Sequence, residues 1–304
     1  MNIIECAGLG RRYRRIWALR DCTLAIPAGH VVALVGPNGS GKTTLLELVV
    51  GLRVPSAGRL SVLGGVAPGS IPALSRVAFV AQDAPLYRQL SVDDTLRLAA
   101  HLNHRWDHQW ARRRVAELAI PPSAKLGALS SGKQAQIAVT VALARRPELL
   151  ILDEPLARLD PLARHEFLAA VLEAVATDGI SVVFSSHVLA ELDRVADYLV
   201  VLSEGHVQVA GETDTLVAGH RMLVGPTDHV DLLPAELPII SAQRADQQTR
   251  LLARCGGDPR PAAEAGFRAE PVGVEELVLA YLRHPDATAL PGPSGATESR
   301  EVPA

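Results

Sequence analysis

Eight residues, GPNGSGKT from Gly36 to Thr43, leave this chain few architectures to choose from. They follow HVVALVG, a short apolar and β-branched run suited to a central strand covered on both faces. They lead into TTLLELVV, a helical segment that Gly51 is placed to end. In this strand–turn–helix setting the match to G-x-x-x-x-G-K-[ST] has a physical meaning. The glycines let backbone N–H groups turn inward around a phosphate, the helix N-terminus adds its positive end, Lys42 reaches the terminal phosphates, and Thr43 offers a hydroxyl to Mg²⁺. The segment predicts a nucleoside triphosphate site built on Gly36, Pro37, Asn38, Gly39, Ser40, Gly41, Lys42, Thr43 and Thr44.

The rest of the chain reads as strands alternating with helices. RVAFVAQ (76–82), LLILDEP (149–155) and ISVVFSSH (180–187) are further apolar strands. Helical periodicity marks DDTLRLAAHL after a Ser91–Asp94 capping pair, WARRRVAELA, and KQAQIAVTVALARR. Residues 2–26 alternate apolar and polar, Gly58 to Gly64 reads as an edge strand, and YLVVLSEGHVQVAG reads as a hairpin around Glu204 and Gly205. Interior strands that are apolar at every position predict an α/β fold with a mostly parallel sheet covered by helices.

A second site follows from LLILDEP. A buried strand that ends in two adjacent acids can hold the Mg²⁺ water shell with the first, Asp153, and polarise an attacking water with the second, Glu154.

Taken in order, Tyr13, GPNGSGKT, Gln82, LSSGK (129–133), LLILDEP, LDP (159–161) and His187 resemble the ATP-binding subunit of an ABC transporter. The resemblance covers roughly residues 3 to 218. It implies a P-loop NTPase core with an antiparallel β subdomain and a helical signature subdomain, hydrolysing ATP with Mg²⁺. By position, Tyr13 would stack on adenine, with Trp17 as a second aromatic able to take that place. Gln82 would join Thr43 and Asp153 around the metal, His187 would contact the γ-phosphate, and Glu154 would act as base beside Lys42. Ser130, Ser131 and Gly132, with Asp160 of the LDP segment, would complete the site of a second copy in a head-to-tail dimer, probed by whether the isolated subunit is nearly inactive as a monomer. The sequence departs from the usual L-S-G-G-Q at Ser131 and Lys133, from which slow basal hydrolysis is expected. Leu156 and Ala157 also stand where the family commonly has small hydroxyl residues.

The implied partner is a separate membrane permease, with the loop from Asp83 to Leu90, carrying Leu86, Tyr87 and Leu90, as part of its docking cleft. The segment ending VEELVLAYLRH is similar to the C-terminal extensions of ATPases serving export-type, ABC-2 class permeases, although it also reads simply as an amphipathic packing helix, Val274 to Arg283. Expected boundaries are an ATP-binding domain over 1–219, a small α+β accessory module over 220–284, and an unstructured Pro, Gly, Ser and Thr-rich tail over 285–304. The formal net charge of −3 argues against nucleic acid as a partner. Three scattered cysteines argue against a disulfide framework or zinc site. No stretch reaches the length of uninterrupted apolar residues that a membrane helix needs, so the chain is expected in the cytoplasm, peripheral on the membrane through its permease. A soluble ABC-type ATPase not coupled to transport is the alternative. It would carry two cassettes in one chain or a long coiled-coil insertion, and neither is seen here. A GTPase would need an N-K-x-D segment, which the sequence lacks.

Overall fold

The computed structural model describes residues 1–83, 86–157, 159–186, 195–256, 260–287 and 289–290. At its centre lies a six-stranded sheet in the order β5-β6-β7-β3-β8-β9. Its strands are β3 (Val31–Val35), β5 (Val77–Val80), β6 (Leu149–Leu152), β7 (Ser181–Ser186), β8 (Tyr198–Ser203) and β9 (His206–Glu212). All neighbours pair in parallel except β8 with β9, whose turn at Glu204 and Gly205 has positive φ at both residues, the geometry a tight two-residue hairpin needs. Every residue of β3, β6, β7 and β8 is buried, because other elements pack on both faces of the sheet. This is the P-loop NTPase arrangement expected from the sequence.

The antiparallel subdomain is a three-stranded sheet of β1 (Asn2–Tyr13), β2 (Ile16–Pro27) and β4 (Ala57–Val62), in the order β2-β1-β4, so the Gly58 to Gly64 segment is an edge strand as read. With α1 (Lys42–Val49) it closes one core, in which Leu24, Leu45 and Leu48 meet Val32, Ile151 and Val183. The short α2 (Ile71–Leu74) precedes β5.

The helical region holds α3 (Val92–Leu102), α4 (His108–Glu117) and α5 (Ser131–Ala144) around Val92, Leu96, Ala111, Val115 and Ile137. Ser91 caps α3 by accepting the Asp94 N–H at 3.0 Å, and Ser130 caps α5 by accepting that of Lys133 at 3.3 Å. α6 (Pro161–Asp178) starts on Asp160, which caps it through Ala163 N–H at 2.9 Å, and ends on Gly179 in the left-handed conformation.

After α7 (Thr213–Gly219) the chain builds a four-stranded antiparallel sheet, β11-β12-β10-β13, from β10 (His220–Pro226), β11 (Ile239–Ala245), β12 (Gln248–Arg254) and β13 (Arg268–Glu270), with α8 (Arg260–Glu264) and α9 (Val274–Arg283). The sequence predicts a small α+β module there with one helix, Val274 to Arg283, and the structure adds the shorter α8. This accessory module is fused to the main core. Val274, Leu277, Val278 and Tyr281 of α9 are buried in the same cluster as Phe167, Val182 and Leu199.

The start of the expected tail is corrected in the same way. Leu290 lies beside β9: its N–H donates to Gln208 O and its carbonyl accepts from Ala210 N–H, each at 2.7 Å. The amide of Gln208 also donates to the carbonyls of His284 and Pro285. The reasons are packing of Ala287 and Leu290 against the main core and backbone pairing. An open sheet edge is satisfied by any extended segment within reach, whatever its composition.

Candidate active site

The site forms at the C-terminal end of β3, where the chain must turn and enter α1 within a few residues. A Cβ on Gly36 would lie 2.3 Å from Leu202 O and 2.5 Å from Ser40 Oγ, so only glycine fits. Gly39 and Gly41 have φ of 84° and 105°, values that L side chains seldom adopt. Behind the loop, the β8–β9 turn holds it in place, with Gly205 N–H donating to Ser40 O at 3.2 Å. Ser40 itself is buried, and its Oγ has no hydrogen-bond partner among the described residues.

Lys42 is 6% exposed and folds back over the loop, donating to Gly36 O at 2.8 Å and Pro37 O at 3.2 Å. Its ammonium is 3.8 Å from Glu154 Oε1. Burial lowers the lysine pKa, opposed by the charges of Glu154 and Asp153.

The two acids are set by a third residue that the sequence reading missed. Ser185 Oγ accepts the Glu154 N–H at 2.8 Å and donates to Asp153 Oδ1 at 2.7 Å, with Ser185 fully buried. Glu154 adopts a φ of 46°, unusual for a residue with a side chain. The register explains the meeting. Leu152 pairs with Phe184, so Asp153, just past the end of β6, lies beside Ser185 of β7.

Asn38, Gly39, Gly41, Lys42, Thr43 and Thr44 converge with Gln82 and Glu154 on one open cavity of about 570 Å³. Ala18 and Ala157 line it as well, and neither was singled out for this from the sequence. A loop of inward backbone donors, a buried ammonium and a glycine with no room for a side chain fit a polyphosphate. The donor set of Thr43, Gln82 and Asp153 consists of hard oxygens, the kind Mg²⁺ prefers. Among the described residues no cluster of three or more His, Cys, Asp or Glu side chains offers a different metal site.

Other expected site residues lie outside this cavity. Tyr13 is 36% exposed at the end of the β1–β2 hairpin, with the Arg11 guanidinium 4.9 Å and that of Arg53 5.9 Å from its ring centroid. Trp17 is similarly exposed, with Arg12 over its ring at 5.5 Å. Ser130 and Ser131 are exposed at the start of α5, and Ser131 lines a smaller cleft with Gln82 and Glu154. Gly132 is buried, and a Cβ there would meet Ala163 Cβ at 3.2 Å. Its smallness is therefore used to bring α5 against the first turn of α6 beside Asp160. His187 lies outside the described residues.

A family model for ABC transporters matches residues 19–157. The nickel import ATP-binding protein NikO of Rhodobacter capsulatus is 36% identical over 239 residues, which cover 72% of this chain and 92% of that protein. The chain belongs to the ABC transporter ATP-binding proteins. The Fe(3+) ions import ATP-binding protein FbpC of Pseudomonas fluorescens is also 36% identical, over 69% of this chain, and this chain spans only 62% of its length. The Nod factor export ATP-binding protein I of Rhizobium leguminosarum bv. viciae is 30% identical over 70% of each chain. A solved ATP-binding subunit of an ABC transporter superposes with a TM-score of 0.64 at 30% identity, over 70% of this chain and 91% of that one. ABC relatives named for import and for export thus match side by side, and these names do not confirm the export-type expectation.

Proposed function

We propose that this chain binds ATP with Mg²⁺ above the loop of Gly36 to Thr43, hydrolyses it, and drives a separate membrane permease. The observation that carries the reading is the placing of Glu154. Ser185 holds its backbone beside Asp153, and its carboxylate faces the cavity 3.8 Å from the buried ammonium of Lys42.

Lys42 supplies positive charge to the terminal phosphates. Thr43, Gln82 and Asp153 would hold Mg²⁺, which when bound neutralises charge between the terminal phosphate oxygens. Glu154 takes the proton of the attacking water, and a carboxylate anchored at its backbone costs little reorganisation as it does so. Ser130 and Asp160 are exposed and lie outside the cavity of their own chain, which supports their acting, with Ser131 at the start of α5, on the nucleotide of a second copy arranged head to tail. Among the described residues no helix is long and apolar enough to cross a membrane, in keeping with a motor that docks on the cytoplasmic face of its permease.

The test is Glu154→Gln. It keeps shape and affinity for ATP, and it cannot accept the proton. Turnover should fall at least about a hundredfold while a fluorescent ATP analogue binds within about threefold of wild type, and an ATP-bound dimer should accumulate on size exclusion. Wild-type turnover in this variant removes Glu154 as the base.

For direction, the similarity of VEELVLAYLRH to export-type extensions supports export. ATP-driven accumulation of amphiphilic probes in inverted membrane vesicles is the expected result. Accumulation confined to right-side-out vesicles loaded with ATP would make the chain part of an importer.

A further inference from the structure

Three helices meet at one largely buried guanidinium. Arg114, in the last turn of α4, is 14% exposed. Its Nη2 donates to Gln136 Oε1 of α5 at 3.3 Å and to the backbone carbonyl of Glu166 in α6 at 3.2 Å. Gln136 is buried, and its amide donates in turn to Ala163 O in the first turn of α6 at 3.2 Å. Among the described residues the one carboxylate within ion-pair reach of Arg114 is that of Glu117, 3.5 Å away and half exposed, which adds little.

Such a network is a costly way to hold helices together. The contact between α4 and α5 is otherwise apolar, built on Ala111, Val115 and Ile137. A guanidinium and a carboxamide set beside it lose water, and the hydrogen bonds do not fully answer that loss, because Arg114 Nε is buried with no partner among the described residues. Apolar side chains of similar volume would serve stability as well or better. Directional bonds add something else. They allow one rotation and one register of each helix against the others, since a hydrogen bond weakens steeply once its angle is lost, whereas an apolar contact tolerates sliding.

The helices fixed in this way carry the segments read above as facing a second copy. Gln136 stands four residues after Gly132, on the same face of α5, and both meet Ala163. The N–H of Ala163 is the group that Asp160 caps. Arg114 thus reaches Ser130 and Gly132 through Gln136, and Asp160 through the start of α6. Among the described residues none from α4, α5 or α6 lines the cavity above the loop of Gly36 to Thr43.

We infer that Arg114 is a positioning residue for ATP hydrolysis in the second copy: it sets where Ser130 and Asp160 of its own chain stand against the nucleotide that the other chain holds. The inference rests on the head-to-tail reading above. Its consequence is an effect in trans. Removing Arg114 damages the site to which its chain lends Ser130, and spares the site in which its own chain holds the nucleotide.

The experiment measures steady-state ATPase of the purified full chain. Arg114→Met keeps the length of the side chain and removes its donors. Its kcat should fall about 10- to 30-fold, with the KM for ATP and the affinity for a fluorescent ATP analogue within about threefold of wild type. Arg114→Lys, which keeps the charge and a donor, should lose less than Arg114→Met. The double variant Arg114→Met with Gln136→Leu replaces the polar pair by an apolar one. It should melt no more than about 3 °C below wild type while its kcat stays as low as that of Arg114→Met.

Mixing gives the decisive readout. Lys42→Ala lacks the loop cation and keeps its Ser130 segment, so a mixed dimer with Arg114→Met has one site built wholly from intact parts. Half of randomly paired dimers are mixed and each holds one such site of two, so an equimolar mixture should regain roughly a quarter of wild-type turnover, where either variant alone has less than about a tenth. Lys42→Ala mixed with Ser130→Ala is the control for the arrangement itself.

If wild type hydrolyses no ATP, or the control mixture fails to recover, the reading beneath the inference falls and takes it along. If the control recovers and the Arg114→Met mixture does no better than the mean of its two parts, the inference alone is overturned. Wild-type kcat in Arg114→Met overturns it as well. So does wild-type kcat in the double variant, because packing would then be all that the network supplies. A raised KM without loss of kcat would place Arg114 in the service of its own chain's cavity, and that too refutes the inference.

Discussion

Ser185→Ala removes one hydroxyl that serves both acids of the site at once. Ser185 is fully buried, accepts the Glu154 N–H at 2.8 Å and donates to Asp153 Oδ1 at 2.7 Å. Losing the bond from a neutral N–H costs about 0.5–1.5 kcal/mol, and losing the one to a carboxylate about 1.5–3 kcal/mol. The folded state should thus lose roughly 2–4.5 kcal/mol. At about 2–4 °C per kcal/mol for a chain of this class, the thermal midpoint should drop by roughly 5–15 °C.

The effect on turnover is a separate quantity. Glu154 is held at a φ of 46°, a conformation that needs its surroundings to persist. Freed from Ser185, its carboxylate wanders by a fraction of the distance to its target, and kcat should fall about 10- to 100-fold. The KM for ATP should stay within about threefold, because the hydrogen bonds that shape the loop of Gly36 to Thr43 do not involve Ser185. Thermal melts, steady-state ATPase assays and titration with a fluorescent ATP analogue measure the three quantities on one preparation. A lowered midpoint with wild-type kcat would refute the positioning role and leave Ser185 as packing. An unchanged midpoint would refute the hydrogen-bond arithmetic itself.

Lys42→Ala should weaken binding of a fluorescent ATP analogue by at least about thirtyfold, since it removes the buried cation of the loop, and unchanged affinity would dismiss the phosphate assignment. Gly132→Ala places a Cβ 3.2 Å from Ala163 Cβ, which should lower kcat several-fold with little change in KM; adding Ala163→Gly should restore it, and failure of that rescue would mean the glycine serves something other than the approach of α5 to α6. His220 is buried between Leu216 O and the Tyr281 hydroxyl, and burial lowers its pKa below 6.5. The unfolded chain therefore takes up this proton first as pH falls, so the contribution of His220 is complete above about pH 6.5 and is lost below it, by at most about 1.4 kcal/mol per pH unit. Thermal midpoints from pH 5 to 8 should show this slope in wild type and a shallower one in His220→Gln, and equal slopes would exclude His220 as its source.

What could be read in advance divides along a physical line. Motifs that are contiguous in the chain, such as GPNGSGKT and LLILDEP, carry their own local geometry, because strand, turn and helix follow one another within a few residues. α9 was legible to its end residues because its apolar positions recur at helical spacing. The accessory strands were not. β11 buries one residue of seven, so it shows almost no alternation, and its place comes from pairing with β12. Leu290 joins β9 through two backbone hydrogen bonds and rests its side chain on the core, and a single apolar residue in a Pro- and Gly-rich stretch shows no periodicity.

The same distinction explains why Ser185 was missed while Glu154 was found. Glu154 follows a recognisable strand, but the help it receives comes from a residue on the adjacent strand, placed there by a register that pairs Leu152 with Phe184. A slip of one residue in that register would turn Ser185 to the other face and leave both acids without their shared hydroxyl. The fully buried faces of β6 and β7 forbid the slip. The apolar residues of the core thereby act on the chemistry. Gly132 shows the converse case: the resemblance marked it for a role at a phosphate, and the packing gives its missing side chain a use the motif did not suggest, the close approach of α5 to α6 beside Asp160. Gln136 reinforces that unit, donating to Ala163 O at 3.2 Å and accepting from Arg114 at 3.3 Å. On the proposed head-to-tail arrangement such a segment would have to be held this firmly by its own chain, since any slack between α5 and α6 would be carried undiminished to the nucleotide of a second copy.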